Sequence, residues 1–198
     1  MIVDPRPDIS DRLVHFTSGE SSEEAFGRLR TIIAEHRLIG SGTTIRGGYR
    51  CVCFTEAPLT ALAHGLVNPR VYSRYSPFGI ILEKRWVFEQ GGRPVIYQPE
   101  AEFDALPEPL RWRHVRYEYE PKVIDFTWER EWRIRCDDLQ FGPCVAGIVV
   151  PTKDWADGLV AEHDSAQDFE VYQYSQIMDV LLAEQYRQLF PWRIDAIK

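Results

Sequence analysis

The run Trp128-Glu129-Arg130-Glu131-Trp132-Arg133 constrains this chain more than any other stretch. Read as a strand, it puts Glu129, Glu131 and Arg133 on one face and Arg130, Trp132 and Ile134 on the other, because successive side chains alternate. Trp132 then anchors the strand in a core and fixes the glutamates on the opposite side. Two carboxylates side by side on a pleated face repel each other, so one of them titrates high or an arginine sits close by. Such a pair is costly in a structural strand and useful in a site that holds hydroxyls or a developing positive charge. General acid/base work, ligation of a hard metal, and a solvated face salt-bridged to Arg133 all fit the same residues.

A chain of 198 residues can bury one full core, whereas two domains would each be small. Its 44% hydrophobic and 27% charged content is that of a globular domain rather than a disordered one. Six Trp, nine Tyr and ten Phe suit a β-rich core and pockets for planar rings. The net charge of −7 is concentrated beyond Cys136, where eleven Asp and Glu meet four Lys and Arg. That third is not expected to lie along phosphates. Arg111, Arg113 and Arg116, around Trp112 and His114, form either a local basic groove or a solvated surface segment. The four cysteines (51, 53, 136 and 144) include no second pair at zinc-like spacing, so no metal is expected. The N-terminus is polar and proline-broken, and no apolar run reaches membrane-spanning length. A cytoplasmic protein with free thiols and no membrane contact is expected.

Periodicity predicts an extended segment over Leu13–Thr17. A helix follows from a Ser21/Glu24 capping box through Phe26, Leu29, Ile32 and Ile33 to a stop at Gly40. Residues 41–48 read as a mobile glycine-rich loop, and 51–55 as a dense strand. A short helix from Pro58 to Leu66, a buried strand at 78–82 and one or two helical turns at 84–88 come next, then a strand at 94–97. Residues 99–111 read as acidic surface. Beyond the Trp128 strand, the acidic portion 144–198 is predicted as strand–helix–strand–helix: 145–150, a helix capped by Thr152 and reaching Glu162, a strand at 169–174, and a final amphipathic helix over 176–189. With no repeat and no linker, residues 1–198 read as a single α+β domain of mixed or antiparallel sheets with flanking helices.

Several residues stand out for chemistry. His15 and Thr17 share a strand face beside the glycine-rich loop and could bond a ribose or a carboxamide; a histidine satisfied by nearby backbone is the plainer reading. Cys53 and Thr55 share a face opposite Phe54. Tyr75 and Ser76 add a phenol and a hydroxyl where a loop meets a strand, for ring stacking or for core packing. No phosphate-binding loop, nucleophile elbow, zinc-protease helix or dinucleotide fingerprint is present.

Taken in order, His15-Phe16-Thr17, Cys53-Phe54-Thr55 and Glu129-Arg130-Glu131 resemble the ADP-ribosyltransferase fold. In that family an early His-x-[Ser/Thr] or Arg strand is followed by an aromatic or Ser-Thr-Ser strand and then by a Glu-x-Glu strand. The nearest flavour is the DarT-like and AbiGi-like group of bacterial toxin and phage-defence proteins. The resemblance covers residues 12–136 in short motifs. It departs from the family at the middle motif, Cys-Phe-Thr-Glu-Ala-Pro, which is neither a tyrosine strand nor Ser-Thr-Ser.

The resemblance implies NAD as substrate. His15 and Thr17 would bind the nicotinamide ribose, and Tyr75 or Phe54 would stack on the ring, with Thr55 and Ser76 alongside. Arg46 or Arg50 would pair with the pyrophosphate. Glu131 would stabilise the oxocarbenium-like state, and Glu129 would orient or deprotonate the acceptor. A DNA, RNA or protein acceptor and a cognate antitoxin are the partners it implies. A non-catalytic antitoxin or binding module that retains the fold, and an NAD glycohydrolase, are the alternatives.

Overall fold

Apolar residues concentrate on five-residue strands, and a computed structural model describes residues 9–59 and 76–197. The central strands are β1 (Arg12–Phe16), β3 (Cys51–Thr55), β4 (Gly79–Glu83), β8 (Glu131–Arg135) and β10 (Ala146–Val150). With the short strands β5 (Arg93–Pro94) and β11 (Arg193–Ala196) they form one seven-stranded sheet, ordered β11-β10-β4-β1-β3-β8-β5. Among the described residues, the outer β10/β11 pair of this sheet is parallel and the other pairs are antiparallel. Two small sheets also form among the described residues. β2 (Arg37–Ile39) pairs with β9 (Asp138–Gln140), and β6 (Ile96–Gln98) pairs in parallel with β7 (His114–Arg116).

β10 is buried along its whole length and β4 over Gly79–Leu82, because apolar groups cover both faces there. The larger core lies on the face that carries Leu13, Val52, Phe54, Trp132 and Ile134, where Phe26 and Leu29 of α1 (Ser22–Glu35) pack. Val87 of α2 (Lys84–Glu89) and Leu159 of α3 (Lys153–Ser175) join them there. Val14, Ile81 and Val149 form a smaller cluster on the other face. The chain is thus a single α+β domain with a mixed sheet and flanking helices. No helix among the described residues is long and apolar enough to cross a membrane.

Ser21 caps α1 by accepting from the Glu24 amide at 3.1 Å, while the Glu24 carboxylate reaches the Glu20 amide at 2.8 Å. The helix ends sooner than Gly40, at His36 in the left-handed region (φ 54°). Gly40 serves a close approach instead: a Cβ there would lie 2.0 Å from the Cys136 carbonyl oxygen.

Other expectations fail for identifiable reasons. The single strand expected over Pro94–Tyr97 is two, β5 pairing with β8 and β6 with β7. The acidic portion is strand–helix–helix–strand. Phe169–Tyr174 lies inside α3, where Val171 turns inward while Phe169 and Tyr172 stay exposed, a helical rather than an alternating pattern. The last helix shrinks to α4 (Val180–Glu184), and β11 follows it. The loop at 41–48 is tethered, since Ile45 is buried against Cys51 and Trp112. The helix expected over Pro58–Leu66 lies largely outside the described residues, and Tyr75 lies wholly outside them.

Candidate active site

The cleft forms where β1 and β3 part. They share one paired position, Val14 with Thr55. Continued in register, His15 would face Phe54; instead the His15 imidazole takes up the Cys53 carbonyl, Nδ1 to oxygen at 2.8 Å. A carbonyl only accepts, so Nδ1 carries the proton. Burial holds the imidazole pKa below its ordinary value, against the raising effect of that same bond. His15 is therefore neutral near pH 7, with Nε2 as its acceptor. Residues from both faces of β1 and β3 line the resulting cleft, whose volume is about 760 Å³.

A neutral, buried His15 makes stability depend on pH. Because the folded pKa is depressed below the ordinary 6.5, the unfolded chain binds the proton first as pH falls. The contribution of neutral His15 is fully present above that value and declines progressively below it. Wild type is expected to lose more stability between pH 7 and pH 5 than His15→Gln, as read from denaturant midpoints; parallel profiles would overturn the assignment.

Across the cleft, Cys53 and Thr55 of β3 stand beside Glu131 and Arg133 of β8, with Thr55 opposite Glu131 and Cys53 opposite Arg133. The Arg133 guanidinium grips the Glu131 carboxylate with two bonds, Nε at 2.7 Å and Nη2 at 3.2 Å. Its remaining nitrogen, Nη1, donates to the carbonyls of Trp112 and His114 at 3.0 and 2.9 Å. Burial alone would lower the Arg133 pKa; pairing with Glu131 leaves it raised. The arginine that a carboxylate here demands is thus present, on the face the alternation predicts. The Glu131 amide donates to the Tyr97 hydroxyl at 3.0 Å. Burial, opposed in part by that bond, pushes the phenol up to about 12.

Glu129 does not share the strand with Glu131. Thr127–Glu129 form a 3₁₀ turn, Arg130 is left-handed (φ 46°), and β8 begins only at Glu131. Thr55 stabilises this turn: its hydroxyl donates to the Glu129 carbonyl at 2.5 Å and accepts from the Ala57 amide at 3.1 Å. Both glutamates still line the cleft, one from a turn and one from a strand. Trp132 points to the core, and its indole donates to Glu56 at 2.8 Å.

The other expected residues divide. Thr17 is buried, its hydroxyl shared between the Ala25 and Phe78 carbonyls at 3.0 and 3.1 Å, and it does not line the cleft. Phe54 is 3% exposed and packs mainly in the core, its edge near His15. Ser76 donates its amide to Thr17 at 3.2 Å and lies off the cleft. Arg50 turns to Asp137 at 3.0 Å, also off the cleft. Arg46 lines the wall, held by Glu100 and stacked 4.0 Å over the Phe103 ring.

Much of the rim comes from residues without a motif in the sequence. Phe126 and Trp128, both 44% exposed, line the cleft near Glu129 and offer ring faces. Ser41, Thr43 and Thr44 contribute a run of hydroxyl residues, visible in the sequence as a polar stretch between glycines. Arg116 lines the cleft while bonded to Glu118 at 3.0 Å. Arg111 and Arg113 do not line the cleft and donate to the Leu106 and Pro94 carbonyls. Cys51 and Cys53 share the cleft-side face of β3; burial, chiefly, pushes the Cys51 thiol up to about 11. Burial and then the Glu131 charge push Cys53 higher still, so neither is poised as a thiolate nucleophile.

Compared with protein-family models, with curated proteins and with solved structures, the chain has no match in any of the three.

Proposed function

We propose that the cleft binds NAD and that the protein is an ADP-ribosyltransferase acting on a nucleic-acid or protein acceptor, in a toxin or phage-defence setting. One observation carries the reading: His15 and Glu131, distant in sequence and each from a motif of the resemblance, line one cleft beside exposed aromatic rings. In this chemistry the bond between the nicotinamide nitrogen and ribose C1′ breaks, and its electron pair leaves with nicotinamide. The acceptor's oxygen or nitrogen then attacks C1′ and gives up its proton. Neutral His15 accepts a ribose hydroxyl through Nε2. Glu131, fixed by Arg133, accepts a second hydroxyl and stabilises the positive charge developing at C1′. Glu129, on its separate turn, takes the acceptor's proton. Phe126 and Trp128 stack on a ring of the ligand. Arg46 or Arg116 meets the pyrophosphate by exchanging its carboxylate partner for it. Thr17, Ser76 and Arg50, which do not line the cleft, take no direct part, while Phe54 backs its wall.

Both Glu131 oxygens are already engaged by Arg133, and this favours a second reading, a non-catalytic module in which the ion pair is structural. The two readings differ in ligand affinity. Under the first, NAD at about 100 times its Kd stabilises the protein by about 2.7 kcal/mol, raises the melting temperature and is consumed with release of nicotinamide. A melting curve unmoved by millimolar NAD would sink the first reading and leave the second. Free ADP-ribose as the sole product, whatever acceptor is supplied, would make the protein an NAD glycohydrolase.

A further inference from the structure

The acidic third folds into a hairpin with a surface unlike the rest of the molecule. Residues 179–190 turn back along α3: Tyr186 meets Tyr174 with ring centroids 5.2 Å apart, the Gln188 amide donates to Gln167 at 2.8 Å, and Arg187 reaches Asp168 at 2.8 Å. Yet α3 buries only Leu159 and Val171, and α4 only Ala183. At the hairpin's turn and on α4, Ile177, Val180 and Leu181 are 80%, 62% and 79% exposed. Leu189 is exposed on the return segment, and Phe169 and Tyr172 on α3. Monomeric proteins rarely leave so many large apolar side chains in water along one hairpin without a partner to cover them.

The charge around these residues selects the partner. From Asp154 to Trp192 the chain carries eight Asp and Glu and a single Arg, a balance equal to the whole protein's −7. That arginine, Arg187, is engaged by Asp168 and Glu184. Among the described residues, cations from outside the segment reach Glu162, through Arg30, and Asp157, through Lys153. We propose that this hairpin is a docking surface for a cationic amphipathic helix of another protein, whose apolar stripe covers Ile177, Val180 and Leu181 while its lysines or arginines face Asp164, Glu170 and Asp179. A second copy of this chain would bring another −7 to the same interface, and nucleic acids and anionic membranes carry the same sign, so all three are repelled. The inference is independent of what the cleft binds.

The probe is a synthetic helical peptide of about five turns built from leucine and lysine, with a leucine/glutamate peptide of the same pattern as its counterpart. The lysine peptide is expected to bind the full chain, and the glutamate peptide is not. Ile177→Ser/Leu181→Ser should weaken that binding about tenfold or more, and Asp164→Asn/Glu170→Gln about threefold. Both double variants should keep the wild-type circular dichroism and melting temperature, since the replaced side chains are exposed. Four results would each overturn the proposal: no binding of the lysine peptide, equal binding of the glutamate peptide, binding unchanged in the serine variant, or a wild-type dimer that the serine variant dissociates. Adsorption of the wild type to anionic phosphatidylserine vesicles would also overturn it.

Discussion

Glu131→Gln is expected to lower nicotinamide release from NAD by about 10²–10³-fold while the protein remains folded. The size follows from where the charge acts. Glu131 and Arg133 side chains are 12% and 7% exposed, so solvent screens this carboxylate little. Glutamine keeps one oxygen acceptor for Arg133 and for a ribose hydroxyl, but it removes the negative charge that opposes an oxocarbenium-like centre. It also presents an amide N–H₂ where Arg133 holds a second oxygen at 3.2 Å, so one charge-assisted bond is lost. That loss costs about 1–3 kcal/mol of stability, and turnover is best measured well below the variant's melting temperature. NAD affinity should change much less than turnover, because the carboxylate's main partner develops only as the glycosidic bond breaks. Unchanged nicotinamide release in a folded Glu131→Gln variant would end the transferase reading.

Side chains alternate as the sequence predicts from Glu131 onward: Glu131 and Arg133 share a face, and Trp132 enters the core. The alternation breaks one residue earlier. Arg130 adopts a left-handed backbone that nothing in Glu-Arg-Glu announces, so Glu129 reaches the cleft from a 3₁₀ turn. The cap at Ser21, the buried runs of β4 and β10 and the strand at 51–55 are equally legible, since each depends on neighbours in sequence. Long-range partners are not. The His15 imidazole bonds a carbonyl of β3 where the β1/β3 pairing ends, and Thr17 turns its hydroxyl to Ala25 and Phe78 rather than outward. Arg46 reads as a free cation until Glu100 is placed beside it. Phe169–Tyr174 carries the aromatic and β-branched residues that strands favour, but a helix with most of its surface in water can carry them as well. Tertiary contact, through the packing of Trp155, Leu159 and Val171, decides for helix.

Arg133→Ala should produce the largest loss of stability, about 3–5 kcal/mol. The guanidinium joins the cleft's floor to its wall: two nitrogens hold Glu131 on β8, and the third holds the carbonyls of Trp112 and His114 ahead of and within β7. Alanine leaves a carboxylate and two carbonyls without these donors in a region that water enters only partly. Desolvation then works against the folded state, and the volume of the lost side chain adds a packing cost. For a chain of this size the melting temperature should fall on the order of 10 °C. Arg133→Lys separates charge from geometry. A lysine restores the positive charge beside Glu131, yet its single ammonium cannot span the carboxylate and both carbonyls at once. It should recover part of the stability while NAD turnover stays low, because Glu131 is no longer held in one orientation. Denaturant midpoints at an unchanged m-value are the measurement. An alanine variant within about 0.5 kcal/mol of wild type, the usual span for a surface substitution, would mean that Arg133 does not hold the cleft together.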